Sequence, residues 1–453
     1  PTATLGPNEE IQVPSPPFFV NFSKELTMLI RESKCLDKMG FAVPEVAANV
    51  ALQEEKFALY IMQLEGMLKR YEDVYNSLLP VERIVLRKQF AELQSSIKPG
   101  FDRLNWNSLH IPTFLNDCTK AIQTFSSRLT QVRKEATSIE DIVTCIKDTV
   151  IVDPTMFNGR IYHVGTFYEK IDEYRVQKIT PLVEKYKSIG SVLLKVESLV
   201  AGTGTCNSPL LAEYYEYWEK RIYNAITVMI VRGMASLKSL FQVQKNAYND
   251  KVLPFCEVKA TMAGKDIVLN PSFSELSKYF SRMIKHLGEC AKAFVRWNNG
   301  SCIISEPIDM GDYEPPYVFT FYEDISKNPY IAKMTLDLSS WIQSVFGTIE
   351  KYLNSWKQYD QVYGLWDSKR KGRIAKLKDT NPTINEFDSR ISIFKLLGRD
   401  VSEKPTSKVF DFMRVDASPL IASIVKQANY WRDQYGAVLL NIANEKLVSL
   451  SDR

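Results

Sequence analysis

Residues 111–148 read IPTFLNDCTKAIQTFSSRLTQVRKEATSIEDIVTCIKD, and their apolar spacing decides the fold. Leu115, Cys118, Ile122, Phe125, Leu129, Val132, Ala136, Ile139, Val143 and Ile146 follow one another at alternating steps of three and four. On an α-helix this spacing keeps every one of them on a single stripe, a seam about five heptads long. The seam mixes Cys, Phe and Ala with branched aliphatics. That mixture suits antiparallel packing inside a bundle better than a free parallel dimer.

Helical punctuation continues on both sides of the seam. Upstream, residues 1–18 hold five prolines and no apolar period, and read as an extended lead-in. From Ser23, the residues Leu26, Leu29, Ile30 and Leu36 share a face, and Gly40 supplies a left-handed cap residue. Pro44 opens a helix expected to reach Leu78, with Val50, Phe57, Ile61, Leu64, Leu68, Tyr71 and Tyr75 in its stripe; Pro80 opens the next, which Pro99-Gly100 closes. Downstream, helices are expected over 166–200, 210–247, 272–297, 329–366, 383–397 and 418–450, with Pro181 expected to bend or break the first of them. Strand signals are confined to Glu257–Leu269, a hairpin around Ala263-Gly264-Lys265, and to Tyr317–Phe321.

The fold class expected is all-α: an elongated array of consecutive helical bundles with at most a small β-hairpin. The expected division is a lead-in at 1–18, a first bundle at 19–150, a second at 151–300 carrying the hairpin near 255–270, and a third at 301–453. The chain opens on Pro1 without a Met and closes inside a helical pattern, as a piece of something longer would.

Composition narrows the function. The 453 residues carry 57 Lys and Arg against 53 Asp and Glu, a net +4 that excludes a strongly basic nucleic-acid arm as the whole-chain identity. Only 19 glycines occur, about 4% against an average of about 7%, which disfavours folds built on tight turns and phosphate-cradling loops. Cys35, Cys118, Cys145, Cys206, Cys256, Cys290 and Cys302 are odd in number, widely spaced and free of any CxxC, the pattern of reduced thiols. Apolar stretches such as Ile226–Ile230 fall far short of a membrane span, so no membrane insertion is expected.

Motifs for catalysis are absent. GxxxxGK[ST], HExxH, GxSxG and GxGxxG do not occur, and Gly202-Thr203-Gly204-Thr205 follows a helix with no Lys after it. His286 and Cys290 stand one helical turn apart, but a zinc site wants four ligands, and a packed helix face accounts for the pair; no metal is expected. In Tyr214-Tyr215-Glu216-Tyr217-Trp218-Glu219 the charges are acidic, which is wrong for base stacking and leaves nucleic acid out. Tyr215 and Trp218 are expected in the core, with Tyr214 and Tyr217 at its margin. The sharpest charge run is Lys369, Arg370, Lys371, Arg373, Lys376 and Lys378, readable as a contact for an acidic partner or as a solvated loop.

Several segments, taken in order, resemble the N-terminal tail of dynein heavy chains. They are Val20-Asn21-Phe22-Ser23, LIRESKCLDKMGF at 29–41 with Val43-Pro44, Leu104-Asn105-Trp106-Asn107-Ser108, YYEYWE at 214–219, and Phe321-Tyr322-Glu323-Asp324-Ile325. The last of these, with the overall run, looks axonemal rather than cytoplasmic. The resemblance implies a tail segment of an ATP-hydrolysing microtubule motor that drives ciliary or flagellar beating. The segment itself would be a non-enzymatic stiff scaffold with no cofactor. Implied partners are other heavy chains, intermediate and light chains, and docking or adaptor proteins on the doublet microtubule; the implied location is cytoplasm and cytoskeleton, at the axoneme. A helical-rod tethering subunit of a vesicle-trafficking complex fits length and helicity equally but would not share the ordered motifs. An all-α enzyme would need convergent polar residues that three isolated histidines do not supply.

Overall fold

A computed structural model describes residues 16–157, 160–201, 209–241, 254–297, 303, 318–380 and 382–451. The glycine cluster at 202–205 and Tyr317 lie outside them. Two compact units emerge, each discontinuous in sequence. Unit 1 takes Pro1–Val143 and Tyr186–Arg221, and unit 2 takes Thr144–Lys185 and Ile222–Arg453.

Unit 1 is helical among its described residues. It contains α1 (Lys24–Lys38), α2 (Glu45–Leu52), α3 (Glu54–Ser77), α4 (Pro80–Val85), α5 (Arg87–Ile97) and α6 (Pro99–Asp102). It also takes most of α7 (Ile111–Asp148) and parts of α8 (Val164–Ala201) and α9 (Pro209–Phe241). The seam on α7 is its spine: Leu115, Cys118, Ile122, Phe125, Leu129, Val132, Ile139 and Val143 are all buried. The Cys118 thiol donates to the Ser96 carbonyl at 3.2 Å, and burial pushes its pKa up to about 12, so it stays a neutral packing group. Gly40 takes φ +77°, and the N–H groups of Gly40 and Phe41 close back on the carbonyls of Asp37 and Leu36. That is the left-handed cap expected of this glycine. The long helix expected from Pro44 is broken at Gln53, whose ψ of 5° ends the ladder and turns its N–H toward Val50.

Unit 2 holds α10 (Phe273–Glu289), α11 (Tyr322–Lys327), α12 (Pro329–Tyr363), α13 (Arg370–Lys376), α14 (Ile384–Ser402) and α15 (Ser418–Ser451). Gly364 ends α12 at φ +53°, with its N–H on the Asp360 carbonyl at 2.6 Å. Pro181 does not break α8. Both Pro181 and Gln177, whose carbonyl loses its usual i+4 donor, face solvent, so water can satisfy that carbonyl.

The expected hairpin is present as β2 (Cys256–Ala263) and β3 (Asp266–Asn270), turning at Gly264 with φ +67°. It belongs to a small mixed sheet with β1 (Tyr162–His163), β4 (Ser407–Phe410) and β5 (Met413–Asp416), in the order β1-β2-β5-β4. The parallel β2–β5 pairing matches Cys256 with Met413 and Val258 with Val415. Phe241, Phe255, Phe280 and Phe412 pack beneath it with ring centroids 4.7 to 5.9 Å apart. The strand signal near Phe321 amounts to one isolated bridge, Val295 to Thr320. The helical array thus carries slightly more β-structure than its sequence announces.

Candidate functional site

The motif residues of the tail resemblance turn out to bind one another. In unit 1 the Trp106 indole N–H donates to the Asn21 carbonyl at 2.7 Å across 85 residues of chain, and Phe22 meets the Trp106 ring edge-on at 4.9 Å. Phe57 on α3 closes this cluster against both rings. Ser23 caps α1, its hydroxyl accepting from the Glu25 N–H. Beside the cluster lies a cleft of about 510 Å³ whose apolar walls include Phe18, Leu64, Met67, Ile97, Phe101 and Phe114. A Cβ at Gly100 would stand 2.8 Å from the Phe114 ring, so glycine sets the shape of that wall.

The outer surface of the same region is unusually apolar. Met39 is 63% exposed, Phe41 62%, Val46 77%, Leu52 83% and Met62 63%, with Met28, Leu29 and Leu36 also on the outside. Of the apolar residues that share a face of α1, Leu29 and Leu36 are exposed, and the buried positions of that helix are Ile30 and Ser33. The signal for an outer face was present in the second apolar stripe of α1, which a one-sided surface helix does not need.

Farther along unit 1, Tyr214 and Trp218 are buried and Tyr215 is half-buried, its hydroxyl donating to Glu197 at 3.3 Å. The core position therefore belongs to Tyr214 rather than Tyr215. Glu82 and Arg133 form a partly buried pair at 2.7 Å nearby, and the Glu82 carboxylate also accepts the Leu79 N–H at 2.9 Å.

In unit 2 the other motif is also structural. Asp324 and Arg296 form an ion pair at 3.1 Å with almost no solvent exposure, and Asp324 also accepts the Ile303 N–H at 2.9 Å. Such a pair selects one packing more than it adds stability. His286 and Cys290 are joined through one polar network, the Asp172–Arg175 ion pair at 2.7 Å. His286 Nδ1 lies 3.0 Å from Asp172 and 3.4 Å from the Tyr168 hydroxyl, while Cys290 takes Arg175 at 3.6 Å. Burial pushes the Asp172 carboxyl up, but the bonds from His286 and Arg175 outweigh it and hold its pKa below the ordinary value.

The basic run is not a loop. Residues 370–376 form α13, followed by a 3₁₀ turn at Leu377–Thr380. Its six cations divide. Arg370 points inward: it donates to the Tyr363 carbonyl and lies over the rings of Phe394 at 5.0 Å and Trp431 at 5.6 Å. Arg373 pairs with Asp367, and Lys378 with Glu445. Lys369, Lys371 and Lys376 are exposed and make no side-chain bond among the described residues.

Among the described residues no helix is long and apolar enough to cross a membrane. Comparison with known proteins gives one consistent result. Residues 7–114 match the family described as dynein heavy chain, N-terminal region 1. The chain is 36% identical over 415 residues to the Dynein-1-alpha heavy chain of the flagellar inner arm I1 complex of Chlamydomonas reinhardtii, covering 91% of this chain and 9% of that one. It is 31% identical over 437 residues to human Dynein axonemal heavy chain 10, covering 96% of this chain and 10% of that protein. It is 21% identical over 429 residues to the gamma chain of the flagellar outer arm of Chlamydomonas reinhardtii, 92% of this chain and 9% of that one. The chain thus spans about a tenth of the length of the curated relatives it matches.

Proposed function

From the premise that this chain belongs to the dynein heavy-chain family and lies in its N-terminal tail, we propose that it is a scaffold of an axonemal arm. In this reading it works in the axoneme of a cilium or flagellum. It joins other heavy chains, intermediate and light chains, and docking or adaptor proteins on the doublet microtubule to a motor whose ATP hydrolysis resides elsewhere in the parent chain.

One observation carries the reading: large apolar side chains stand in solvent on α1, α2 and the start of α3, inside the stretch that matches the family. Exposed apolar groups so concentrated are the usual mark of a protein interface, since each Met, Leu or Phe covered gains roughly 1.5–3 kcal/mol of transfer free energy. The cluster of Asn21, Phe22, Phe57 and Trp106 ties the chain just ahead of α1 to α3 and to Trp106.

The test is assembly. A full-length heavy chain carrying Met39→Ser, Phe41→Ser, Val46→Ser and Leu52→Ser would be expressed in ciliated cells lacking the native chain. Loss of the arm from isolated axonemes, with the variant chain itself intact in the cytoplasm, is expected. Normal incorporation would overturn the reading. The same proposal assigns this segment no cofactor: calorimetric titration of the purified chain with ATP is expected to give no saturable heat.

A further inference from the structure

We infer that the outer stripe of α13 is a docking surface for an extended, acidic polypeptide segment. Lys369, Arg373 and Lys376 stand at i, i+4 and i+7, so they share one side of the helix, opposite the inward residues Arg370 and Ile374. Lys371 stands on the far side of the helix and lies outside this stripe. At its end, beyond the 3₁₀ turn, a shallow cleft of about 420 Å³ is lined by Lys378, Asp379, Ile442, Glu445, Lys446 and Ser449.

Three features select the partner. The first is an excess of positive charge. Residues 369–378 contain six cations and no carboxylate, and unit 2 as a whole carries 37 Lys and Arg against 31 Asp and Glu, a net +6. The second is how the molecule already satisfies two of these cations. Asp367 holds Arg373 and Glu445 holds Lys378, both at exposed positions. An incoming carboxylate therefore exchanges for one of the same chemistry, and it adds new pairs at Lys369 and Lys376. The third is spacing. Same-side residues of an extended chain repeat about every 6.8 Å, close to the separation of successive cations along the helix stripe.

Nucleic acid fits less well. The nearby rings of Phe394 and Trp431 are already covered by Arg370, so they offer no stacking platform.

This inference is independent of the apolar face proposed above, and different residues test it. The experiment is fluorescence anisotropy of a fluorescein-labelled octaglutamate peptide with the 453-residue chain, at about 50 and about 200 mM salt. The variant is Lys369→Ser with Lys376→Ser, leaving Arg370, Lys371, Arg373 and Lys378 in place. An unchanged melting curve shows that the fold survives. The wild-type chain is expected to bind, and to lose much of that binding at the higher salt. The double variant is expected to bind roughly tenfold more weakly at low salt. No binding by the wild type, or equal binding by the variant, overturns the inference. It also falls if an oligothymidylate of equal charge binds as tightly as octaglutamate and loses affinity equally in the variant, for then the surface reads charge alone.

Discussion

Unit 1 and unit 2 solve the problem of holding long helices together in different ways, and they present different surfaces. Unit 1 relies on a heptad seam and on aromatic contacts such as those of Phe22 with Trp106 and of Tyr71 with Tyr75, and leaves Phe41, Val46 and Leu52 in water. Its charge is nearly neutral, 20 Lys and Arg against 22 Asp and Glu. Unit 2 adds a five-stranded sheet over four phenylalanines, buries an ion pair, and keeps the positive excess. Packed helices alone would suffice for a rod. On the two proposals made above, recruitment is divided: one unit would bury apolar surface against a partner, and the other would attract charge.

The harshest way to break the comparison is to disable one unit and ask whether the other notices. Leu129→Asp puts a carboxylate into the α7 seam, where the leucine is 4% exposed. The lost packing and the buried charge together are expected to cost roughly 5 kcal/mol. Hydrogen exchange should lose protection over residues 16–143, 186–201 and 209–221 while β2, β3 and β5 keep theirs. Loss in both sets at once would show that the two units do not differ in stability at all.

The matching change in unit 2 is somewhat milder. Asp324→Ala removes the carboxylate from a fully buried Arg296, a loss expected at about 3–5 kcal/mol because the cation stays behind. Chemical denaturation monitored at the α10–α12 region checks it. A loss under about 1 kcal/mol would mean that water reaches the pair, and that unit 2 is less tightly closed than its sheet implies.

How much of this was legible in the sequence depends on how local the cause is. The α7 seam is a property of one helix, so its periodicity announced the buried face from Leu115 to Val143. The Gly40 cap and the Gly264 hairpin were equally plain, because only glycine takes those backbone angles freely. The second hairpin, β4–β5, escaped notice because its turn is made by Asp411 at φ +46°, with no glycine to mark it. Arg370 read as one charge among six; its place over Phe394 and Trp431 is set by residues 24 and 61 positions away. Gathering 186–221 with 1–143 in one unit is likewise a tertiary fact with no trace in helical period. The family motifs gave the right neighbourhood, but not that Asn21 and Trp106 bind each other.

Acid offers a gentler contrast. In unit 2 the carboxyls of Asp172, Glu289 and Asp416 have lowered pKa values. Burial opposes the shift at Asp172 and at Asp416, where the bonds from His286 and Arg175 and those from Ser418 prevail; at Glu289 the Lys292 ammonium leads. A carboxylate held lower in the folded than in the unfolded chain stabilises the fold above its unfolded value. That contribution fades as pH drops below the ordinary 3.8 for Asp and 4.5 for Glu, through the folded values. Unit 2 should therefore lose stability on acidification from about pH 5 to about pH 3, and Asp172→Asn should flatten part of that slope. Thermal melts at stepped pH provide the check; a wild-type slope unchanged in the variant would remove Asp172 from the explanation.

The smallest expected effect sharpens the comparison most, because it separates folding from recruitment. Val46 and Leu52 lie on α2 with most of their side chains in solvent. Replacing both with Ser removes little buried area, and the difference in helix propensity among Val, Leu and Ser amounts to a few tenths of a kcal/mol. The double variant should therefore unfold within about 0.5 kcal/mol of the parent chain, as surface substitutions do. The same polar change at Leu129 would be ruinous, since there the leucine is enclosed. If the double variant instead loses about 2 kcal/mol or more in a denaturant titration, the α2 face is covered in the free chain, and unit 1 spends its apolar surface on itself. If stability holds while sedimentation velocity shows weaker self-association at high concentration, the face is sticky only toward partners, as an interface should be. Lys369→Ser in unit 2 makes the companion control. It should leave both stability and self-association alone, because an exposed lysine without an ion-pair partner contributes almost nothing to either.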